Sequence, residues 1–148
     1  MSKETIKRIA LVLVRGRIDL NQKMLSTLDM LKLFRKNYCV VVNDTPANRG
    51  MAKKVKDYTT FGNIDDETYK LLIEKRGKEY TDRTSDKKNI IKYEGKFFVY
   101  GGKNYRSYFR LNAPKKGFGR KGIKVQFLIG GALGDRKEKI NDLIRRMI

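Results

Sequence analysis

The sequence predicts a small α+β domain. Its 148 residues, 40% of them hydrophobic, suffice for one modest core and argue against wholesale disorder. Residues 6–15 are apolar on both faces, as a strand in the middle of a sheet must be. Around that strand the pattern alternates between capped amphipathic stretches and short β-branched runs.

In the first strand Ile6, Ile9, Leu11 and Leu13 alternate with Ala10, Val12 and Val14. Asn21 can cap a helix over 22–35, whose apolar face is Met24, Leu25, Leu28 and Leu31; Asn37 breaks it. Residues 38–42, Tyr-Cys-Val-Val-Val, read as a second strand. Thr45 caps a second helix with Pro46 at its first position, where the missing N–H costs nothing. Met51, Val55 and Tyr58 line that helix, and Gly62 closes it. A third helix starts with acids at Asp65-Asp66-Glu67 and ends on Lys75-Arg76 before Gly77, complementing the helix dipole at both ends. Residues 78–94 read as a loop. Lys96–Tyr100 and Tyr105–Leu111 read as strands flanking Gly101-Gly102, a hairpin signal. Asn112 to Lys124 should be an extended basic loop. A last helix runs from about Asp135, with Asp135 and Glu138 at capping-box spacing and Ile140, Leu143, Ile144 and Met147 as its stripe.

Charge narrows the function. Lys and Arg number 35 against 16 Asp and Glu, a net +19. A compact chain carries such a charge at the expense of self-repulsion unless a polyanion neutralises it. Residues 1–62 hold 13 basic and 5 acidic groups, residues 63–94 hold 8 of each, and residues 95–148 hold 14 and 3. Both ends therefore suit a polyanion, and the middle suits solvent or a protein neighbour. A membrane-surface helix would concentrate charge on one amphipathic face, which is not the pattern here. No apolar run approaches 18 residues, and Ile9–Val14 is too short for a secretory signal, so a soluble cytoplasmic protein is expected.

Catalytic chemistry finds little support. Histidine is absent, which removes Ser-His-Asp, Cys-His and histidine–metal arrangements together. The single cysteine, Cys39, lies among apolar strand residues and reads as a small buried hydrophobe. Asp65, Asp66 and Glu67 are explained by a helix start rather than a metal. No cofactor, metal or small-molecule substrate is expected. Gly117-Phe118-Gly119-Arg120-Lys121-Gly122 has dinucleotide-loop spacing, but it lies late in the chain and no helix opens at Gly122. The better reading is a basic loop whose glycines let the backbone approach phosphates. From Lys103 to Lys124 there are eight basic residues and no acid. Phe97, Phe98 and Tyr100 could stack bases, although core packing suits some of them better.

At this point particular residues carry a resemblance. Ser26-Thr27-Leu28-Asp29-Met30-Leu31-Lys32-Leu33 with Arg35-Lys36-Asn37 resembles the first helix of the universal large-subunit ribosomal protein L-thirty. The long archaeal form, whose eukaryotic relative is L-seven, is the closer likeness. Asn43-Asp44-Thr45-Pro46, Arg49-Gly50-Met51 and Lys54-Val55-Lys56-Asp57-Tyr58 are similar to the second helix of that family. Gly130-Gly131-Ala132-Leu133-Gly134 and Glu138-Lys139-Ile140-Asn141 resemble the extension of the long form, although Phe127-Leu128-Ile129 is more apolar than its pattern.

The resemblance implies a β-α-β-α-β core with a three-stranded sheet, loosely ferredoxin-like, with helices on one face. It maps to residues 6–15, 22–35, 38–42, 46–60 and 105–111 of one domain, 1–148. The core then takes 6–62 and 105–111, residues 63–104 form a helical insertion, and 112–148 form a basic extension ending in a helix. It also implies a structural constituent of the large ribosomal subunit, not an enzyme, whose partners are large-subunit rRNA and neighbouring ribosomal proteins. The expected RNA contacts are Arg15, Arg17, Arg49, Gly50, Lys53, Lys54, Lys56, Lys115, Lys116, Arg120, Lys121, Lys124 and Arg136. Gly50 either admits a phosphate or permits close helix packing. The rival classes are a DNA-compacting protein, which competition between duplex DNA and rRNA would separate, and an RNA-processing enzyme, which would need an acid cluster or activated nucleophile.

Overall fold

A computed structural model describes residues 7–18, 20–81, 88 and 97–148. Ile6, most of the expected 78–94 loop and the strand start at Lys96 lie outside the described residues. The elements are β1 (Arg8–Leu13), α1 (Gln22–Met30), β2 (Tyr38–Asn43), α2 (Pro46–Lys54), β3 (Thr59–Ile64), α3 (Asp66–Arg76), β4 (Phe97–Tyr100), β5 (Lys103–Arg106), β6 (Phe109–Arg110), β7 (Gly134–Asp135) and α4 (Ile140–Met147). The expected β-α-β-α-β order is present in residues 8–64.

β1 lies between β2 and β3, antiparallel to both, which accounts for its apolar residues on both faces. Two-residue strands β6 and β7 flank the three main strands, giving the order β6-β2-β1-β3-β7 among the described residues. The third core strand is β3, at 59–64, and not the expected 105–111. Thr59, Thr60 and Phe61 have β propensity, but Gly62 and Asn63 break the pattern, and pairing with β1 decides the outcome. Accordingly α2 stops at Lys54 and does not reach 60, and Gly62 sits inside a strand rather than closing a helix.

Other boundaries shift for identifiable reasons. α1 ends at Met30, not 35. Lys32 takes a left-handed φ of 63°, and the amides of Lys32 and Leu33 donate to the carbonyls of Asp29 and Leu28. That is a Schellman closure made without glycine, sealed by contact between buried Leu28 and Leu33. The expected strand 105–111 splits into β5, paired with β4 across Gly101-Gly102, and β6, paired with β2. Both glycines have positive φ, as a tight hairpin turn requires. The last helix starts at Ile140, after a 3₁₀ turn at Lys137–Lys139. Asp135 belongs to β7, and its carboxylate accepts the Lys137 amide instead of forming a capping box with Glu138.

The two core helices share one face of the sheet, as the resemblance implied, and the helices of the insertion and the extension cover the other. α1 and α2 pack on Ile9, Leu11, Leu13, Val40 and Phe61. α3 and α4 pack on Ala10, Val12, Cys39 and Ile64 through Leu72, Ile73, Leu143, Ile144 and Met147. Cys39 is fully buried in this second layer, and burial pushes its thiol up to about 12. Native Cys39 should therefore react with a thiol reagent only as fast as the protein opens. Labelling kinetics in native buffer, compared with unfolded protein, check this; equal rates would displace Cys39 from the core.

Candidate nucleic-acid interface

Antiparallel pairing places the end of β1, the start of β2 and the start of β3 at the same edge of the molecule. Basic residues far apart in sequence are delivered there. Arg15 follows β1; its guanidinium lies 4.7 Å from the Tyr58 ring centre and donates to the Asp57 carbonyl at 3.4 Å. Arg17 donates to Asp29 at 2.6 Å and to the Phe34 carbonyl at 3.4 Å. Lys53 and Lys54 occupy the last turn of α2, where cations favour the helix dipole, and Lys56 follows; all three are exposed.

The basic loop joins the same end through a chain of contacts. The Asn37 amide donates to the Leu13 carbonyl, the Leu111 amide to Asn37, and the Asn112 amide to Met147. Beyond it, Phe118 and Ile123 pack with Val14, Ala132 and Leu133. Lys115, Lys116, Arg120, Lys121 and Lys124 are all exposed. None of them, nor Lys53, Lys54 or Lys56, forms an ion pair among the described residues. Arg35 and Lys36, on the α1–β2 connection, are exposed at this end too. The expected helix over 22–35 covered Arg35 and ran up to Lys36, so the early end of α1 is the signal that places them in a connection. Beside the loop, Leu128 and Ile129 form an exposed apolar tip.

The loop is less extended than its composition suggests. Arg146 donates to the carbonyls of Lys115 at 2.9 Å and Gly117 at 2.6 Å, and the Lys121 amide donates to Gly130 at 3.1 Å. Guanidinium–carbonyl bonds replace the apolar anchors the segment lacks.

Arg136 departs from expectation. It is only 4% exposed. It donates to Thr60 Oγ1 at 2.8 Å, the Phe118 carbonyl at 2.6 Å and the Ala132 carbonyl at 3.0 Å, and it lies 4.7 Å from the Phe127 ring centre. Burial, with the nearby Arg146 charge, lowers its guanidinium to about 10, so it remains charged at neutral pH. It ties β3, the basic loop and the 131–133 turn together from a buried position.

Arg49 and Gly50 lie away from the basic end. Arg49 forms a bidentate pair with Asp44 and donates to Asn63 at 3.0 Å, at the far end of the sheet. The hydrogen bond from Arg49 holds the Asp44 carboxyl below its ordinary range, against a smaller opposing effect of desolvation. Gly50 faces open space, so the close-packing explanation for it falls away. That far end is charge-balanced: Arg8 pairs with Asp66 at 3.4 Å, and Asp65 caps α3 by accepting the Thr68 amide at 2.6 Å. The protein is therefore electrostatically polarised along its strands.

The aromatic residues considered for base stacking are occupied. Phe98 packs against Tyr105 and Phe109, Tyr100 against Tyr69, and Phe97 stacks on Tyr80. Among the described residues there is no group of acids and cysteine able to hold a metal ion, and no helix long and apolar enough to cross a membrane.

Residues 9–59 match the model of the family described as Ribosomal protein L30p/L7e. Curated relatives extend the match to nearly the whole chain. The large ribosomal subunit protein uL30 of Nanoarchaeum equitans is 41% identical, covering 94% of this chain and 97% of that protein. Those of Methanococcus maripaludis and Methanopyrus kandleri are 40% and 34% identical, covering 94% and 91% of this chain and 98% and 100% of theirs. The family model ends at the first residue of β3, and the match to the archaeal relatives extends over α3, the basic loop and α4.

Proposed function

The chain belongs to the ribosomal protein L30p/L7e family, and from that premise we propose that it binds large-subunit rRNA through the basic end of its sheet. As in its relatives, its setting is the large subunit of the cytoplasmic ribosome, and its role there is structural rather than catalytic. The observation that carries the proposal is the convergence of Arg15, Lys53, Lys54, Lys56 and the Lys115–Lys124 loop at one end, opposite a charge-balanced end. Exposed ammonium and guanidinium groups without internal acids neutralise phosphates. They supply affinity and position more than base specificity.

The paired Arg17 and Arg49 orient neighbouring loops. The neutral α3 side is the surface available to neighbouring ribosomal proteins. Gly50, on an open helix face, leaves room for a phosphate beside α2.

A filter-binding titration of an rRNA fragment against salt tests the proposal. With roughly 6–10 phosphates neutralised, affinity should fall about 10³–10⁵-fold between 50 and 200 mM salt. A flat salt dependence contradicts a phosphate-dominated interface.

A further inference from the structure

The glycine-rich turn at 117–120 and the C-terminal helix border an open recess of about 540 Å³. Its walls include Phe118, Phe127, Arg120, Arg136, Lys139 and Arg146. Resting on the rRNA-binding reading above, we infer that this recess is a built site for one unstacked rRNA nucleotide, anchored by its phosphate.

The positive charge in the recess exceeds its one anion. The one carboxylate in its lining, Asp142, already accepts from Arg146 Nε at 3.1 Å. Arg136 is buried, yet its Nε and Nη2 meet only neutral oxygens of Thr60, Phe118 and Ala132. It has no ion pair among the described residues, and its Nη1 makes no hydrogen bond there but is not among the buried atoms left without a partner, so it stays accessible. A buried cation that forms no ion pair is unfavourable, and a phosphate oxygen supplies further negative charge and an acceptor for the accessible Nη1. Arginine suits that ligand because its fixed fork matches phosphate geometry.

Backbone donors stand beside these cations. Among the described residues the amides of Phe118, Gly119 and Arg120 have no backbone acceptor, unlike those of Gly117, Lys121 and Gly122 in the same turn. Gly119 lies against the Gly131 carbonyl with no room for a side chain, which fixes the turn over the cavity. Successive free amides in a turn form an anion-binding concavity. The G-x-G-x-x-G spacing thus presents amides to an anion without the strand–helix context of a dinucleotide fold.

The dimensions select a nucleotide. The volume lies within the ~300–1,000 Å³ range of small-molecule sites, larger than a bare phosphate requires. Phe127 offers an aromatic wall carrying the Arg136 guanidinium at 4.7 Å and the Lys139 ammonium at 5.6 Å from its ring centre. A recess reaches bases splayed from loops or bulges, where RNA recognition uses aromatic and guanidinium stacking.

Chemical-shift mapping on the full chain with AMP, adenosine and inorganic phosphate tests the site. AMP should shift the Gly117–Arg120 amides and the Arg136 Nε–H, phosphate should shift the same groups more weakly, and adenosine should shift them least. Arg120→Gln with Lys139→Gln, both at exposed positions, should weaken AMP binding at least tenfold without altering the spectrum of the sheet. An rRNA fragment should displace AMP from the recess. AMP shifts spread evenly over Lys53, Lys54 and Lys56, unchanged binding by the double variant, or AMP that the fragment cannot displace would each overturn the site. A fragment that binds with steep salt dependence while AMP leaves the recess untouched sinks the nucleotide site and leaves the interface standing. A fragment that does not bind removes the interface and the rRNA assignment with it.

Discussion

Gly62→Ala is expected to destabilise the protein by about 3 kcal/mol, the upper end of the usual cost of overpacking. In β3, an added Cβ at this position would overlap the Lys137 carbonyl oxygen and stand 2.9 Å from Ile140 Cβ. Neither neighbour can retreat cheaply. Lys137 already takes a left-handed φ of 50°, and Ile140 is fully buried at the start of α4. The clash therefore levers the C-terminal helix off the sheet and opens the layer containing Cys39, Leu143 and Ile144. A glycine that merely ended a helix in the left-handed region would cost only about 1–2 kcal/mol on the same change. Denaturant unfolding separates the two. A loss below about 1 kcal/mol would contradict the β3 assignment and the seating of α4.

The second large effect concerns binding rather than folding. Replacing Lys115, Lys116, Arg120, Lys121 and Lys124 together by Gln should weaken binding of an rRNA fragment by up to about 10⁴-fold near 0.1 M salt. Each lost phosphate contact lowers the salt slope by roughly 0.7–0.9. The five side chains are exposed and unpaired among the described residues, so the melting temperature should hold or rise slightly as like charges are removed. The anchors of the loop, Arg136 and Arg146, are untouched by these changes. A variant that binds normally would show that the loop does not face RNA. One that melts early would show that these side chains hold the fold.

The comparison with sequence is instructive element by element. β1 was legible because a two-sided apolar run has one good solution, and the helices found on both faces follow from that same run. The starts of α1, α2 and α3 were legible because Asn21, Thr45 and Asp65 accept amides in the first turn, a local device. The end of α1 was not, because Lys32 performs a turn usually given to glycine. β3 was hidden because Gly62 and Asn63 break its pattern and only pairing with β1 makes it a strand. For the interface, the basic loop was legible from its acid-free run. The grouping of Arg15, Lys53, Lys54 and Lys56 with it depends on topology, which no local pattern encodes. The burial of Arg136 was hidden because a cation is surface-seeking by default, and that burial rests on acceptors supplied by residues 60, 118 and 132.

Lysine-acetylation footprinting, read by mass spectrometry with and without a bound rRNA fragment, tests the polarised interface most directly. Lys53, Lys54, Lys56, Lys115, Lys116, Lys121 and Lys124 should become strongly protected, while Lys70 and Lys75 on α3 keep their free-protein rates. Uniform protection, or protection centred on α3, would contradict the assignment of RNA binding to the basic end of the sheet.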